Sequence, residues 1–245
     1  MRALLTNLKN RFTTEADLFG REILVQWFSG RREDNLRILD VGCGSGADLL
    51  ALKKLLPNAW LFGVDIMEAS VKDCLGKGIC ARRLNLEEEE IPYEAEYFDI
   101  VIANQVFEHL KNWIWALFQI SGCLKAGGSL FVGVPNLASL HNRILLLFGE
   151  QPRCINTMGM HVRGFTAPGL RRVLEYRKAF HVEKIAGRPF YPFPRGVSSL
   201  LAGVFPRGAA SIFLLCRKTG DAAVLAELES MQRREEFRVG HCRWL

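Results

Sequence analysis

Three glycines at alternate positions directly follow a short apolar run. Gly42, Gly44 and Gly46 come after the stretch 37–41, and from Leu49 onward leucines recur at helical spacing. This pattern predicts a buried strand, a glycine turn and the first turn of a helix. Glycine lets the backbone approach a bound molecule, while the unpaired N–H groups of a helix N-terminus point at it. The stretch therefore predicts a cradle for a small-molecule ligand.

Two classes of ligand use such a turn, and Asp40 helps to choose between them. A dinucleotide would match the G-x-G-x-x-G/A fingerprint at Gly42, Gly44 and Ala47. The other class is S-adenosylmethionine, whose amino-acid end the turn would surround. Asp40 lies two residues before the first glycine, where its charge would cost about 1 to 4 kcal/mol beside a pyrophosphate. Beside an ammonium group the same charge is attractive, which favours S-adenosylmethionine over a dinucleotide or an empty structural turn.

A second acid follows the next predicted strand. The strand over residues 59–65 ends in Asp65, 19 residues after Gly46. A carboxylate at this point accepts hydrogen bonds from ribose hydroxyls in either ligand class. Its alternative role is to cap the helix predicted to begin near Met67. Ile66 can pack on an adenine face, although apolar residues at such positions also serve as plain core.

A family resemblance follows from these residues and four later motifs. The stretch 39–46, Leu-Asp-Val-Gly-Cys-Gly-Ser-Gly, resembles the first motif of class I S-adenosylmethionine-dependent methyltransferases. The later motifs are Gly63-Val64-Asp65-Ile66, Tyr97-Phe98-Asp99-Ile100-Val101, Phe107-Glu108-His109-Leu110 and Leu124-Lys125-Ala126-Gly127-Gly128-Ser129-Leu130. The resemblance covers residues 36–135 closely and the rest loosely, and it carries little information on the substrate.

The resemblance implies methyl transfer with S-adenosylmethionine as the cofactor. It implies an adenine acceptor at Asn85, where the family usually has an aspartate, and the amide carbonyl of asparagine can still accept. The residues expected around the cofactor are Asp40, Gly42, Cys43, Gly44, Gly46, Asp65, Ile66, Asn85, Leu86 and Asn104.

The order of predicted elements indicates an α/β fold. Strands over residues 36–41, 59–65, 79–86, 98–103 and 129–134 alternate with helices, which predicts a parallel sheet with helices on both faces. With the resemblance, we expect a Rossmann-like seven-stranded sheet, mostly parallel, with an antiparallel last strand over 211–217 and cap insertions after strands five and six. A single methyltransferase domain spans 1–245, with an N-terminal helical lid (1–35), a cofactor-binding core (36–134), insertions (135–167 and 188–208) and an exposed tail (221–245).

Composition sets the class of protein and its partners. The seven cysteines are scattered without a C-x-x-C pair, which predicts reduced thiols in a cytoplasmic protein and neither a disulfide framework nor a zinc site. No apolar run approaches the length of a membrane span, and we expect the protein to be neither secreted nor membrane-spanning.

Charge is distributed unevenly along the chain. Residues 1–140 carry 15 basic against 18 acidic side chains, a net −3, and residues 141–245 carry 17 against 8, a net +9. A basic second half predicts an anionic partner: a phosphorylated substrate, a membrane surface or nucleic acid. A solvated basic surface without a partner is the alternative. Because no aromatic and basic stripe typical of an RNA-binding module is present, nucleic acid is the least favoured of the three.

Two histidines are candidates for the catalytic base. Methyl transfer from a sulfonium needs mainly alignment and exclusion of water, but a hydroxyl acceptor also benefits from a base near neutral pH. His109 follows the fourth strand, where the resemblance places cofactor contacts. His161 lies in the first insertion, two residues from Arg163, which is expected to hold an anionic group of the acceptor. We expect His161 to be the base and Tyr191 to line the acceptor pocket.

No metal is expected from the sequence. Some similar quinone-biosynthesis O-methyltransferases carry an E-x-x-E-H pattern associated with a metal, but Gln105 replaces the first acid in this chain. One acid and one histidine make a poor divalent site without further ligands. Two other functions stay open at this point: an NAD(P)-dependent oxidoreductase, and an S-adenosylmethionine-binding protein that acts through partners without catalysis.

Overall fold

The computed structural model describes residues 20–155, 159–190, 193 and 195–236. These residues form a seven-stranded sheet in the order β3-β2-β1-β4-β5-β7-β6. Its strands are β1 Arg37–Val41, β2 Trp60–Asp65, β3 Cys80–Arg83, β4 Phe98–Asn104, β5 Leu124–Pro135, β6 Phe180–Arg188 and β7 Ser211–Lys218. β7 is antiparallel to both of its neighbours, while the other paired strands are parallel. The predicted fold class is confirmed.

Helices cover both faces of this sheet. They are α1 Arg21–Phe28, α2 Ala47–Leu55, α3 Glu68–Gly76, α4 Trp113–Cys123, α5 Leu140–Leu147, α6 Ala167–Leu174, α7 Arg195–Val204 and α8 Ala223–Glu236. Short 3-10 turns occur at Phe107–His109, Tyr176–Lys178 and Pro206–Gly208. α5 and α7 lie in the two predicted insertions.

Alternation along β1 shows how one strand serves two cores. Ile38 belongs to an apolar cluster with residues of α1, α2 and α3, whereas Leu39 and Val41 belong to the cluster on the opposite face, which includes α4 and α6. Successive side chains of a strand point to opposite faces, so a strand buried on both faces is apolar throughout. Asp40 is the exception in this strand, and it is 3% exposed.

Two elements pack more tightly than the sequence predicted. The described part of the N-terminal segment, α1, buries Ile23, Leu24 and Phe28 in one of these cores. It is therefore an integral layer of the fold, while residues 1–19 of the predicted lid lie outside the described residues. The tail helix α8 forms as predicted, but it is not simply exposed: Leu225 is fully buried and joins the core cluster with α4.

The two insertions meet through one buried amide. The side-chain nitrogen of Asn136 donates to the backbone carbonyls of Arg207 and Ala209, each at 2.8 Å. The carbonyl of Asn136 in turn accepts from the amide of Asn142 at 2.9 Å. A buried polar group must be paired, so Asn136 holds the end of β5, the start of the first insertion and the end of the second insertion together.

Candidate active site

The backbone of residues 42–46, here called the glycine turn, is held by its own neighbours. The amides of Gly42 and Cys43 donate to the carbonyl of Val64 at 2.7 and 3.1 Å, and the amide of Gly46 donates to the carbonyl of Cys43 at 2.8 Å. Gly42, Gly44 and Gly46 all have positive φ, at 71°, 50° and 76°. Only glycine adopts this conformation without strain, which explains the alternate spacing.

Gly44 differs from its two neighbours in what it faces. A Cβ at Gly42 would lie 2.5 Å from Val106, and a Cβ at Gly46 would lie 2.4 Å from Ile79, so both sit against the protein. A Cβ at Gly44 would meet no atom within 4 Å. The middle of the turn therefore faces open space at the carboxyl edge of the sheet, where open α/β folds bind ligands. This is the fit expected of a cofactor cradle.

Acidic side chains surround this space. Burial, followed by the nearby charges of Asp48 and Asp65, raises the pKa of Asp40 well above its usual range, and Arg21 opposes the shift. Carboxylates this close repel one another, so a cationic ligand relieves the site and an anionic pyrophosphate makes it worse. The arrangement matches the ammonium and sulfonium charges of S-adenosylmethionine better than a dinucleotide.

Asp48 and Arg21 form a link that the sequence did not reveal. The guanidinium of Arg21 on α1 donates to Asp48 at 2.7 Å, and the amide of Asn104 donates to the other oxygen of Asp48 at 2.7 Å. Asn104 thus lies at the predicted place, the carboxyl end of β4, but supports the helix that follows the glycine turn. An acid in the first turn of α2 was the available signal, because helix N-termini favour negative charge.

Asp65 supports both the glycine turn and the segment that leads into α3. One of its oxygens accepts from the amide of Gly44 at 2.8 Å, and the other accepts from the amide of Met67, at the start of α3, at 2.8 Å. It therefore fixes the middle of the glycine turn and the start of α3 together. Each carboxylate oxygen has a second lone pair, so the predicted ribose contact stays a prediction. Ile66 and Met67 are 52% and 60% exposed beside it, which fits an apolar ring packing there.

Three other predicted cofactor residues face inward or toward their own backbone. The Sγ of Cys43 lies 3.7 Å from that of Cys74 in the core, so only the backbone of Cys43 belongs to the turn. Leu86 is 7% exposed and packs in the opposite core cluster. The side-chain carbonyl of Asn85 accepts from the amide of Glu87 at 3.1 Å. The contact of Asn85 with adenine stays a prediction. It would use the same side-chain oxygen that accepts from Glu87 in this turn.

The two candidate histidines lie together. The ring centroids of His109 and His161 are 4.7 Å apart at an interplanar angle of 75°. Together with Glu108, they form what we call the histidine cluster, in which one ligand atom of each residue lies within 4.8 Å of the others. The sequence assigned the histidines to separate walls, cofactor and acceptor, and it gave Glu108 no role. The partnership of two histidines 52 positions apart has no signal in the sequence.

Electrostatics set the histidine cluster apart from an ordinary surface. Burial raises the pKa of Glu108 to about 8. Burial, and then the neighbouring His161, lower the pKa of His109, while its hydrogen bond with the carbonyl of Met160 raises it. A lowered pKa keeps an imidazole neutral at pH 7, with a lone pair available to accept a proton or bind a cation.

Arg163 makes structural hydrogen bonds that the sequence did not predict. Its Nε donates to the carbonyls of Leu110 and Lys111 at 3.2 and 2.9 Å, and its Nη2 also donates to Lys111. The guanidinium thus connects the first insertion to the segment after β4 by hydrogen bonds. Its anion-binding role stays a prediction, and Tyr191 lies outside the described residues.

The glycine turn and the histidine cluster share one edge of the sheet. β1 and β4 are parallel neighbours, so the segments that follow them emerge side by side. Val106, whose methyl group packs where a Cβ of Gly42 would be, precedes the cluster by two residues. The edge can therefore hold a cationic cofactor beside groups that accept a proton.

Comparison with known proteins connects this edge to a family. A family described as Methyltransferase domain matches residues 16–177. The ubiquinone biosynthesis O-methyltransferase of Rattus norvegicus mitochondria is 34% identical over 178 residues, covering 67% of this chain and 50% of that protein. A tRNA U34 carboxymethyltransferase of Pseudomonas aeruginosa is 31% identical over 131 residues, covering 46% of this chain and 39% of that protein. The chain spans about half the length of the curated relatives it matches.

Solved structures agree on the fold. An S-adenosylmethionine-dependent methyltransferase of Thermotoga maritima, described as a possible histamine N-methyltransferase, has a TM-score of 0.58 at 18% identity. The match covers 83% of this chain and 92% of that one. At this identity the likeness concerns the fold alone, and folds of this kind host many reactions.

Proposed function

Because this chain belongs to the methyltransferase-domain family, we propose that it transfers the methyl group of S-adenosylmethionine to a hydroxyl of a small, lipid-like acceptor. One observation carries the proposal: proton-accepting side chains of the histidine cluster lie at the same sheet edge as an acidic, glycine-lined cradle. The first group suits a hydroxyl acceptor, and the second suits a cationic cofactor.

The cradle binds and orients the cofactor. Asp40 would attract the cationic amino-acid end, the open face of Gly44 would admit it, and Asp65 would accept from the ribose. Ile66 and Met67, which are exposed, would cover the adenine. S-adenosylmethionine, when bound, supplies a methyl group that its sulfonium has already activated, so the chain's remaining tasks are alignment and exclusion of water.

The histidine cluster takes the proton of the acceptor. His161 comes from the insertion expected to cover the acceptor, and its Nδ1 lies 2.9 Å from the carbonyl of Cys154. If Nδ1 carries the hydrogen, as a carbonyl partner requires, Nε2 keeps its lone pair. His109 is held in the same way by the carbonyl of Met160 at 3.3 Å. Loss of the proton at this place leaves an oxygen nucleophile beside the cofactor.

The relatives support oxygen and a lipid-like acceptor. The rat relative is named an O-methyltransferase of ubiquinone biosynthesis, and its match covers more of this chain than the match of the tRNA-modifying relative. The insertions also offer apolar surface: Leu147, Phe148, Leu200 and Val204 are 80%, 70%, 70% and 80% exposed. A hydroxylated aromatic ring with an isoprenoid tail is the acceptor class that fits both observations.

Mass spectrometry with a deuterated methyl donor tests this function. The purified chain is incubated with methyl-labelled S-adenosylmethionine and, in parallel, a tailed hydroxyarene, a matched tailed arylamine and bulk tRNA. We expect the label on the oxygen of the hydroxyarene alone. Label on tRNA or nitrogen would overturn the acceptor class. Calorimetric binding of S-adenosylmethionine without any transfer would favour the non-catalytic alternative, and binding of NADP⁺ instead would favour the oxidoreductase.

An anionic membrane surface is the proposed place where the lipid-like acceptor is met. The exposed apolar side chains of α5 and α7 lie in the half of the chain that carries the net charge of +9. Apolar side chains that enter the lipid, together with basic charge, bind a protein to an anionic membrane surface. Among the described residues, no helix has the length and apolar character needed to cross a bilayer.

Liposome co-sedimentation tests the membrane contact. The chain should sediment with vesicles containing phosphatidylserine and much less with neutral vesicles, and Phe148→Glu should reduce the bound fraction several-fold. Leu75→Glu is the matched control, because Leu75 is 54% exposed but lies on α3 in the acidic half. Equal and negligible binding to both vesicle types would discard the membrane and leave a soluble anion as the partner.

A further inference from the structure

We propose that the side-chain amide of Gln105 donates a hydrogen bond to the acceptor oxygen while the histidine cluster takes the proton of that oxygen. The inference deepens the proposed function, on which it rests. Gln105 follows β4 directly and lies three residues before Glu108. In the sequence it is notable only as a residue that replaces an acid, and the cradle and the histidine cluster do not include it.

The backbone holds Gln105 at the point where the two regions of the sheet edge meet. Its amide donates to the carbonyl of Gly133 in β5 at 2.7 Å. The next residue, Val106, packs where a Cβ of Gly42 would lie, and the histidine cluster begins at Glu108. An acceptor must reach both the cofactor and the cluster, and Gln105 lies on the segment that joins them.

Gln105 has an unfavourable backbone conformation. Its φ is 58°, in the left-handed region that few residues other than glycine adopt. Such conformations persist where the surrounding structure enforces them, and they are concentrated at functional sites. Glycine would adopt this conformation without strain. The long amide side chain at this position therefore calls for an explanation of its own.

The side-chain nitrogen of Gln105 supplies that explanation. Among the described residues its Nε2 is buried and has no hydrogen-bond partner, and the same is true of both carboxylate oxygens of Glu108. Buried polar groups without partners are costly. A hydroxyl group can satisfy a donor and an acceptor together, because its oxygen accepts and its hydrogen is donated. Rotation about the last side-chain torsion of glutamine, which is broad, turns the nitrogen toward such a group.

The proposed reaction needs a donor at this place. The histidine cluster offers proton acceptors, so negative charge develops on the acceptor oxygen as its proton leaves for the cluster. A fixed hydrogen-bond donor aimed at developing charge stabilises the transition state. The oxygen then forms a bond to the methyl carbon, and the electron pair of the broken carbon–sulfur bond stays on the sulfur. Gln105 stabilises the oxygen throughout without adding a charge beside the acidic cradle.

The same donor favours oxygen over nitrogen as the methylated atom. A hydroxyl oxygen has two lone pairs, so one can face the methyl group while the other accepts from Gln105. A neutral amine nitrogen has a single lone pair, which must face the methyl group. Its N–H groups would then oppose the N–H groups of Gln105. The amide thus acts as a specificity-determining residue as well as a catalytic one.

Binding of a coloured phenol tests the hydrogen bond without turnover. An alkyl-tailed 4-nitrophenol, whose phenolate absorbs visible light, is titrated with pH in its complex with the full chain and S-adenosylhomocysteine, the demethylated cofactor. Wild-type protein should lower the pKa of the bound phenol below that of the free phenol. Gln105→Met should raise the pKa of the bound phenol by about one to two units, the effect of losing one hydrogen bond to a charged group. Gln26→Met, at an exposed glutamine of α1, is the matched control.

A matched ligand separates the hydrogen bond from a structural effect. Gln105→Met should weaken binding of the phenol about tenfold or more. It should leave the affinity for the matched alkyl-tailed 4-nitroaniline within about twofold, because an amine accepts nothing from Gln105. In turnover on the tailed hydroxyarene, kcat should fall about 100-fold, the effect of removing one such donor. Gln26→Met should behave as wild type in all three measurements.

Each result has one consequence for the proposal. Wild-type protein that does not bind the phenol overturns it, as does an unchanged pKa of the phenol bound to Gln105→Met. Equal loss of affinity for the phenol and the aniline also overturns it, since that would mean a structural role.

Two further results separate the inference from the proposed function. A lowered pKa of the phenol bound to wild-type protein, without methyl transfer, would reject only the proposed function. Full methyl transfer by Gln105→Met would reject only the inference. Gln105→Glu keeps the shape and removes the donor, and it replaces the methionine variant if circular dichroism shows that variant unfolded. It is measured with a chelator, as is wild type beside it, because it restores the E-x-x-E-H pattern.

Discussion

The glycine turn and the histidine cluster lie at one edge of the sheet, but they are stabilised in opposite ways. The turn satisfies its amides within a few residues of β1 and β2, at Val64, Cys43 and Asp65. The cluster holds a buried carboxyl group with no partner among the described residues. A satisfied turn keeps its shape before the cofactor arrives, which reduces the cost of binding. In the histidine cluster the carboxyl group of Glu108 has no partner until it binds a proton or a ligand, which suits a role in the reaction.

His161→Ala is expected to give the largest effect and to separate the two regions most clearly. A base that takes the acceptor proton contributes about 10²- to 10⁴-fold to the rate, so kcat should fall by that order. Affinity for S-adenosylmethionine, measured by calorimetry, should stay within a factor of about two. His181→Ala, which removes an exposed histidine of β6, is the matched control and should leave kcat unchanged. Unchanged turnover on the true acceptor would mean that alignment alone drives the reaction.

Gly44→Val should damage the other region alone. The new side chain enters the open space of the cradle, and valine at a φ of 50° adds strain; overpacking and strain together cost about 2 to 5 kcal/mol. Affinity for S-adenosylmethionine, measured by calorimetry, should therefore fall about 30-fold or more, while circular dichroism shows that the fold persists. Gly127→Val is the matched control, since Gly127 has a φ of 73° and open space but lies at the opposite end of the sheet.

Asp65→Ala tests how the turn depends on the side chain that accepts from its middle amide, that of Gly44. The substitution removes the acceptor of the Gly44 amide and the predicted ribose contact, so affinity for S-adenosylmethionine should fall by about 1 to 3 kcal/mol. Asp65→Asn keeps one carbonyl oxygen and should lose less. Calorimetry on both variants measures the difference. Wild-type affinity in Asp65→Ala would remove Asp65 from the cofactor site and leave it as a helix cap.

Asp40→Asn should show its effect in the protein without cofactor, as a change in how the free energy of unfolding depends on pH. Because burial and two neighbouring acids raise the pKa of Asp40 in the folded state, the native protein binds that proton more tightly than the unfolded chain. The stability this contributes is present below the unfolded pKa of about 3.9 and is lost as pH rises.

Urea unfolding between pH 4 and pH 8 measures this loss. Wild-type protein should lose stability relative to Asp40→Asn by at most about 1.4 kcal/mol per pH unit. At neutral pH the variant should therefore unfold at a higher urea concentration but bind S-adenosylmethionine more weakly. Parallel stability curves for the two proteins would show that Asp40 is charged and compensated in the fold.

The sequence was informative wherever neighbours in the chain are neighbours in space. Alternating glycines, apolar strands and helical spacing of leucines follow from local backbone geometry, so the fold class and the glycine turn could be predicted. The third strand was placed at 79–86 and extends only over Cys80–Arg83, because strand ends depend on pairing. Likewise the fifth strand was placed at 129–134, and β5 begins earlier, at Leu124.

Only the tertiary structure decided which distant side chains share a site. Glu108 gains its raised pKa from burial, and its neighbour His161 from a loop joined to it by two backbone hydrogen bonds. The same packing gave Arg163 backbone carbonyls as partners and tied Arg21 to Asp48. Burial and contact between residues far apart in the chain are properties of the packed fold. The sequence therefore determined the cradle and its family, and the folded chain determined the chemistry beside it.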